Sequence, residues 1–201
     1  MLQTGIHAFI LALGLILPLG VQNLFIFNQG VTQHKFKRAL PAIITASICD
    51  TILITLAVLG VSVFLVKIVW VKTILLLLGI CFLLYMGYGI WNSKPTISKE
   101  RAETATPKKQ IVFAISVSLL NPHAILDTIG VIGTSSLLYE GMEKYIFTAV
   151  CIFVSWLWFL SLAIMGKITG IADKSGKLLV ILNKASAIMM WGMAIMMAKS
   201  L

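Results

Sequence analysis

Charged side chains are scarce in this chain, and their scarcity excludes an ordinary soluble protein. Asp, Glu, Lys and Arg make up 11% of the 201 residues, whereas hydrophobic residues make up 59%. Soluble domains carry about 25% charged residues. Since a helix needs about 20 apolar residues to cross a bilayer, six spans with short connections would use nearly the whole length. The composition predicts an all-α integral membrane protein, a single membrane domain over 1–201 that has the lipid bilayer as its solvent.

Cysteine is also rare, and the pattern of the three that are present argues against a thiol relay. Cys49, Cys81 and Cys151 lie far apart, each within an apolar run, and no C-x-x-C pair occurs. The H-E-x-x-H and G-x-S-x-G motifs are missing as well. We therefore expect no enzyme activity, no cofactor and no bound metal. A membrane-embedded enzyme or a scaffold remains a less favoured alternative.

Acidic residues are outnumbered, with 7 Asp and Glu against 16 Lys and Arg. The basic residues lie between apolar runs rather than on one face, which indicates topology signals and not a nucleic acid surface. The six apolar runs are approximately 4–27, 39–66, 72–91, 111–138, 144–166 and 178–198. Most Lys and Arg follow runs one, three and five. By the positive-inside rule those connections are cytoplasmic, so both termini should lie outside the cytoplasm.

A polar stretch at 93–110 divides the chain into two similar halves. The matched pairs, at offsets of about 104 to 106, are Gly14 and Ser118, Pro18 and Pro122, Asn23 and Asp127, Gly60 and Gly166, and Gly87 and Gly192. Because three spans are an odd number, the second copy must enter the membrane from the opposite side. We predict two inverted three-helix repeats, about 1–92 and 111–201, joined by a cytoplasmic linker at 93–110.

Proline occurs five times, and two of the prolines lie inside predicted spans. Pro18 and Pro122 each leave the carbonyl four residues back without its helical partner, so we expect kinked or broken helices at both, with Gly20 beside the first. A lone kink would serve packing only. Paired kinks flanked by polar side chains favour a site, because half-helix ends bind substrate groups in secondary transporters. The flanking side chains are Gln22, Asn23, Asn121 and His123.

Two acidic residues lie deep within predicted spans. Asp50 is about ten residues into the second span, about 15 Å deep in a layer about 30 Å thick, and Asp127 is similarly interior to the fourth. A carboxylate at that depth costs about 2.5 to 3.5 kcal/mol, so it normally faces a cavity or a partner. No Lys or Arg lies at that depth. A substrate could be the missing cation, exchanged against a proton.

Structural interpretations of the same residues stay open. Either aspartate could form a buried hydrogen bond that only locks helices together. His123 shares a helix face with Asp127, which allows a proton relay or a simple hydrogen bond between the two.

Three stretches resemble the LysE-type exporters of basic amino acids: LPLGVQNLFIFNQG at 17–30, NPHAILDT at 121–128 and SWLWF at 155–159. The resemblance covers essentially the whole chain. It implies export of L-lysine or L-arginine across the bacterial inner membrane, coupled to protons or to the membrane potential. The positions that fall on the family's motifs are Pro18, Gly20, Gln22 and Asn23, then Asn121, Pro122 and Asp127, with Asp50 at the acidic position of span two. Val21 departs from the pattern, because the family commonly has Pro there.

We therefore expect an exporter of arginine or lysine that works by alternating access, with Asp50 and Asp127 facing a midplane cavity. Export of neutral amino acids or of a metal cation is the alternative. Paired acids favour a cation over a neutral solute, whereas a metal usually takes more oxygen or thiol ligands than two aspartates provide. The choices between lysine and arginine, and between a monomer and a homodimer, stay open.

Overall fold

The computed structural model describes residues 1–17, 20–33, 35–60, 106–119, 124–125, 128–172 and 177–199, with separate positions between 73 and 92. In this part of the chain the secondary structure is helical and no strand occurs, which confirms the predicted all-α class. The helices are α1 (Leu2–Ile16), α2 (Val21–Thr32), α3 (Leu40–Val58), α4 (Pro107–Leu119), α5 (Gly141–Ala172) and α6 (Lys177–Ala198). Shorter elements are 3-10 turns at Phe36–Arg38 and Ser136–Leu138 and a π-helical segment at Thr128–Gly133.

Two of the described helices are long and apolar enough to cross a bilayer, namely α3 and the part Gly141–Ile171 of α5. Helices α1 and α2 pass the same test together, as one bent span whose two halves meet at 79°. These spans fit an integral membrane protein. Only separate positions of the third predicted span, 72–91, are described, and parts of the fourth lie outside the described residues, so the count of six spans stays a prediction.

The first predicted span is broken where the sequence places a proline and a glycine. α1 ends at Ile16, and α2 begins at Val21 after Gly20, whose backbone is extended. Pro18 itself lies outside the described residues. Across the break, Nδ2 of Asn23 donates a 2.7 Å hydrogen bond to the carbonyl oxygen of Ile16. A side chain of α2 thereby satisfies one of the carbonyls that the end of α1 leaves without an intrahelical partner.

α3 ends in a glycine turn, which makes it shorter than the predicted span 39–66. The backbone N–H groups of Leu59 and Gly60 donate to the carbonyl oxygens of Thr55 and Ala57 over 3.0 and 3.1 Å. Gly60 has φ +75°, a left-handed conformation that glycine adopts at little cost and that commonly ends helices. The sequence predicts a longer span because its apolar pattern continues through this turn. Residues 61–66 lie outside the described part of the chain.

α2 crosses α5 in very close contact because glycines face backbone carbonyls at the crossing. A β-carbon added to Gly30 would collide with the carbonyl of Ala163, and one added to Gly166 would collide with the carbonyl of Phe27. Gly170 meets the next turn of α2 in the same way. Small residues at such spacing let two helices within a membrane approach until their backbones touch.

Two apolar clusters enclose a polar layer. The first cluster consists of Ala8, Ala12, Ile54, Val58, Ile132, Phe147, Cys151 and Val154. The second cluster consists of Ile26, Ala39, Ala42, Ile43, Ala46, Phe159, Leu162 and Ala163. The end of α3 and the beginning of α5 belong to the first cluster, whereas the beginning of α3 and a later part of α5 belong to the second. The two long helices therefore run antiparallel, and Asp50 and Ser155 lie between the clusters on each.

The helices of the two halves of the chain pack crosswise. α1 and α2 pack mainly on α5, whereas α4 and the π-helical segment pack on α3. At the second of these contacts, a β-carbon on Gly133 would lie 3.2 Å from the carbonyl oxygen of Ala57. The first elements of each half thus cover the long helix of the other half.

Candidate functional site

Asp50 lies in the middle of α3, ten residues after Leu40 and eight before Val58. Nε2 of Gln22, on α2, donates a hydrogen bond to its Oδ1 over 3.0 Å. Oγ of Ser155, on α5, donates one to its Oδ2 over 2.8 Å. We call these three residues the Asp50 centre. The carboxylate joins three helices at the level that separates the two apolar clusters.

Both donors to the carboxylate are uncharged. A hydrogen bond to a charged group contributes about 1.5 to 3 kcal/mol, and a carboxylate in the middle of a membrane span costs about 2.5 to 3.5 kcal/mol. Two such bonds are therefore sufficient to hold Asp50 in the span without a lysine or an arginine. The ion pair found within the described ranges joins the N-terminus of Met1 to Glu143, and both of these groups lie on the surface. That ion pair does not involve Asp50.

A second hydrogen bond between the same two helices lies beside the first. Nε1 of Trp156 donates to Oγ1 of Thr51 over 3.0 Å, and that hydroxyl donates to the carbonyl oxygen of Ser47 over 2.7 Å. Neighbouring residues of α5 thus bind neighbouring residues of α3. The pair of bonds fixes how α5 is rotated against α3 at the level of Asp50.

Two polar residues at the start of α2 lie beside the break, and one of them also contacts the carboxylate. Gln22 contacts Asp50 directly, and Asn23 closes the break through the Ile16 carbonyl. Val21 is the first residue of α2 and is 2% exposed. A proline suits that position because the first N–H groups of a helix have no intrahelical acceptor. Valine there leaves the start of α2 helical and adds a backbone donor.

The other predicted site residues lie outside the described residues. These are Asn121, Pro122, His123 and Asp127. α4 ends at Leu119, directly before them. The predicted second break, and the pairing of Asp127 with Asp50, therefore remain predictions.

Ser155 belongs to the Asp50 centre, although its sequence context alone assigns it no role. It is 2% exposed and its hydroxyl points to Asp50. The sequence did hold a signal for it, because Asp50 and Ser155 are 105 residues apart, within the offsets that relate the two halves. If the two halves are repeats, as the sequence predicts, equivalent positions can meet at the axis that relates them, and the repeat offset then indicates this contact.

Two more hydroxyls extend the polar layer. Ser47 and Ser118 are fully buried, and the hydroxyl of Ser47 has no hydrogen-bond partner among the described residues. Ser47 lies one helical turn before Asp50 on α3, and Ser118 of α4 lies beside the thiol of Cys49. A buried hydroxyl without a partner costs about 1 to 3 kcal/mol.

Metal ligands do not gather in the part of the chain that the structure covers, since no group of three His, Cys, Asp or Glu there could hold an ion. What the fold does present is a mid-span carboxylate held by uncharged donors, next to the break of a discontinuous helix. Secondary transporters bind solutes with this combination of half-helix ends and intramembrane polar groups. The fold and the site therefore define a membrane transporter.

Comparison with known proteins gives the family. The family model described as LysE type translocator matches residues 13–200, and the chain belongs to this family, as the sequence motifs predict. A Bacillus subtilis (strain 168) protein named "Putative amino-acid transporter YisU" is 59% identical, over 94% of this chain and 86% of that protein.

Two further relatives carry the name "Arginine exporter protein ArgO". The one from Escherichia coli (strain K12) is 32% identical over 94% of this chain and 91% of its own length. The one from Salmonella typhimurium (strain LT2) is 29% identical over 99% and 95%. No solved structure matches the chain.

Proposed function

We propose that the protein exports L-arginine, L-lysine or both from the cytoplasm across the inner membrane of a bacterium. The observation that carries the proposal is the Asp50 carboxylate, which lies in mid-span and whose partners in the described part of the chain, Gln22 and Ser155, are both uncharged. A cationic side chain of the substrate would supply the positive charge. Relatives named as arginine exporters support a basic substrate, and the relative at 59% identity supports an amino acid.

The amino acid end of the substrate would bind where the first span is broken. Gln22 is the second residue of α2, so this helix begins beside the carboxylate. The first N–H groups of a helix lack intrahelical partners and carry the positive end of its dipole, which favours an anionic group. We place the substrate's α-carboxylate there, with Asn121 and His123 of the second proposed break, at Pro122, completing the site.

Alternating access would follow from rocking of two inverted repeats, 1–92 and 111–201, joined by the linker 93–110. The crosswise packing of α1 and α2 on α5, and of α4 on α3, supports this arrangement. The two bonds from Ser155 to Asp50 and from Trp156 to Thr51 both join residues 105 apart. Equivalent residues that touch lie near the axis relating the repeats, so the Asp50 centre would lie where the repeats move against each other.

Coupling to protons would use the same carboxylate. A carboxylate binds either a proton or a cation, so exchange of one for the other at Asp50, with Asp127 as its partner, would link export of a basic amino acid to proton entry. The membrane potential would contribute whenever the exchanged charges are unequal. One chain or a pair of chains could perform this cycle, and the proposal requires no second copy.

Efflux from loaded cells tests the function. Cells without their own basic amino acid exporters are loaded with an arginine-containing dipeptide, and we expect arginine to leave faster when this protein is present. Excess leucine should not compete, and cadmium should not compete, because the site is built for an organic cation. Glu140→Gln, which removes an exposed carboxylate outside the centre, should export normally. If arginine and lysine both stay inside while the protein is inserted, the proposal is wrong.

A further inference from the structure

The two oxygens of the Asp50 carboxylate each accept one hydrogen bond, and the donors belong to different helices. Gln22 donates to Oδ1 over 3.0 Å and Ser155 donates to Oδ2 over 2.8 Å. An ionised carboxylate has about four lone-pair positions on its two oxygens. The described residues therefore occupy one position on each oxygen and leave about one on each.

The two cationic side chains of the substrate class differ in what they need from such an acceptor. A guanidinium presents its N–H groups in a rigid planar fork that binds both oxygens of a carboxylate at once. An ammonium is a compact charge on a flexible chain, and it can orient towards either oxygen. An open position on each oxygen, with the carboxylate plane held in place, therefore matches the fork.

We infer that Ser155, together with Gln22, is a positioning residue that makes the Asp50 centre a guanidinium site and so selects arginine over lysine. This inference rests on the proposed function and names its substrate more narrowly. Donors on both oxygens prevent the carboxylate from turning about its bond to the β-carbon. With one donor removed, the plane of the carboxylate is no longer fixed and the fork loses its second acceptor.

Ser155 is the better-fixed of the two donors. Its short side chain is 2% exposed, and the neighbouring bond from Trp156 to Thr51 fixes α5 against α3 within one residue of it. Gln22 has a longer side chain, is 9% exposed and lies in the first turn of α2, directly after the break. The orientation of the carboxylate should therefore depend more on Ser155.

A role for Ser155 in helix packing alone makes a different prediction. Loosened packing between α3 and α5 would impair the transport of both substrates to the same degree. Loss of carboxylate orientation would impair arginine selectively, because the ammonium of lysine needs one oxygen only. The ratio of the two KM values separates these roles.

The test uses the purified full-length protein in liposomes, with counterflow of labelled arginine, lysine and citrulline. Citrulline has a planar fork of donors but no charge. For the unaltered protein we expect a KM for arginine about tenfold below that for lysine, the size of one hydrogen bond to a charged group, and no transport of citrulline. Ser155→Ala should raise the KM for arginine about tenfold and bring the ratio close to one, while Ser155→Thr, which keeps the hydroxyl, should preserve it.

A matched control lies on the same helix. Ser161 is exposed and its hydroxyl donates to the carbonyl of Leu157 over 2.7 Å, so Ser161→Ala should change neither KM. The inference is overturned if the unaltered protein has the same KM for lysine as for arginine. This outcome can be measured even if the variants do not fold. It is also overturned if Ser155→Ala raises both KM values equally. In either case arginine export would stand, whereas transport of neither substrate would overturn the proposed function itself.

Discussion

Ser155 and Asp50 are joined by a hydrogen bond of 2.8 Å although 105 residues separate them in the chain. The bond lies between two apolar clusters that enclose it along α3 and α5. The carboxylate and its donors therefore form a polar layer between two apolar ones.

Asn23 should stabilise the break in the first span. Its Nδ2 donates to the carbonyl of Ile16, so Asn23→Asp, which keeps the shape but loses this donor, should cost about 1 to 3 kcal/mol of stability. Thermal unfolding of the detergent-solubilised protein measures the change. Asn92→Asp is the matched control, because Asn92 makes the same kind of bond to a backbone carbonyl at an exposed position. Equal stability of the two variants would contradict the role of Asn23.

Gly166 should tolerate no side chain. A β-carbon there would collide with the backbone of α2 at Phe27, and overpacking costs about 1 to 3 kcal/mol. Gly166→Ala should lower the unfolding temperature and reduce transport, because α2 would be displaced from α5. Gly192→Ala should be close to neutral in the same assays, since no atom beyond its own helix lies within 4 Å of the added carbon. An unaffected Gly166→Ala protein would refute the close crossing.

Lys167 should stabilise the end of α2. Its Nζ donates a 2.8 Å hydrogen bond to the carbonyl of Gln33, the residue that caps the C-terminus of this helix. A cation at that end also interacts favourably with the helix dipole, by about 0.3 to 1 kcal/mol. Lys167→Met should lower thermal stability by about 1 kcal/mol, and the exposed Lys199→Met should not. Loss of stability in both, or in neither, would show that the cap contributes nothing.

The basic residues predict how the chain is oriented in the membrane, and thiol labelling tests this prediction. In a Cys81→Ser background, which removes the exposed native thiol among the described residues, Glu140→Cys and Lys37→Cys place thiols at exposed positions on opposite sides of the proposed topology. An impermeant maleimide should label the first in intact cells and the second only after lysis. The reverse pattern would place both termini in the cytoplasm.

The sequence predicts those features that local chemistry determines. Scarce charge predicts helices in a bilayer, and Pro18 with Gly20 predicts the break that the structure shows between Ile16 and Val21. Helical rise places Asp50 in mid-span, whereas its contact with Gln22 on the preceding helix is known only from the structure. The early end of α3 at Gly60 is missed, because the apolar pattern continues through the turn and hydropathy does not register a left-handed glycine.

Contacts between distant helices were less accessible to sequence reasoning. Ser155 is one hydroxyl among several in an apolar helix, and only the packing of α5 on α3 gives it a carboxylate partner. Gly30 and Gly166 lie at a close crossing of α2 and α5, yet a glycine in a span indicates close approach without indicating which helix approaches. Both relationships depend on tertiary packing that periodicity does not encode.

The most direct test of the account is arginine counterflow into liposomes that contain the unaltered protein, Asp50→Asn or Glu140→Gln at equal amounts. Asparagine keeps the size of the side chain but removes the charge that the cationic substrate needs. Loss of a charged hydrogen bond of about 1.5 to 3 kcal/mol corresponds to about a 10- to 100-fold fall in transport. We expect that fall for Asp50→Asn and normal transport for Glu140→Gln. Normal arginine transport by a correctly inserted Asp50→Asn protein would contradict the assignment of Asp50 as the cation site.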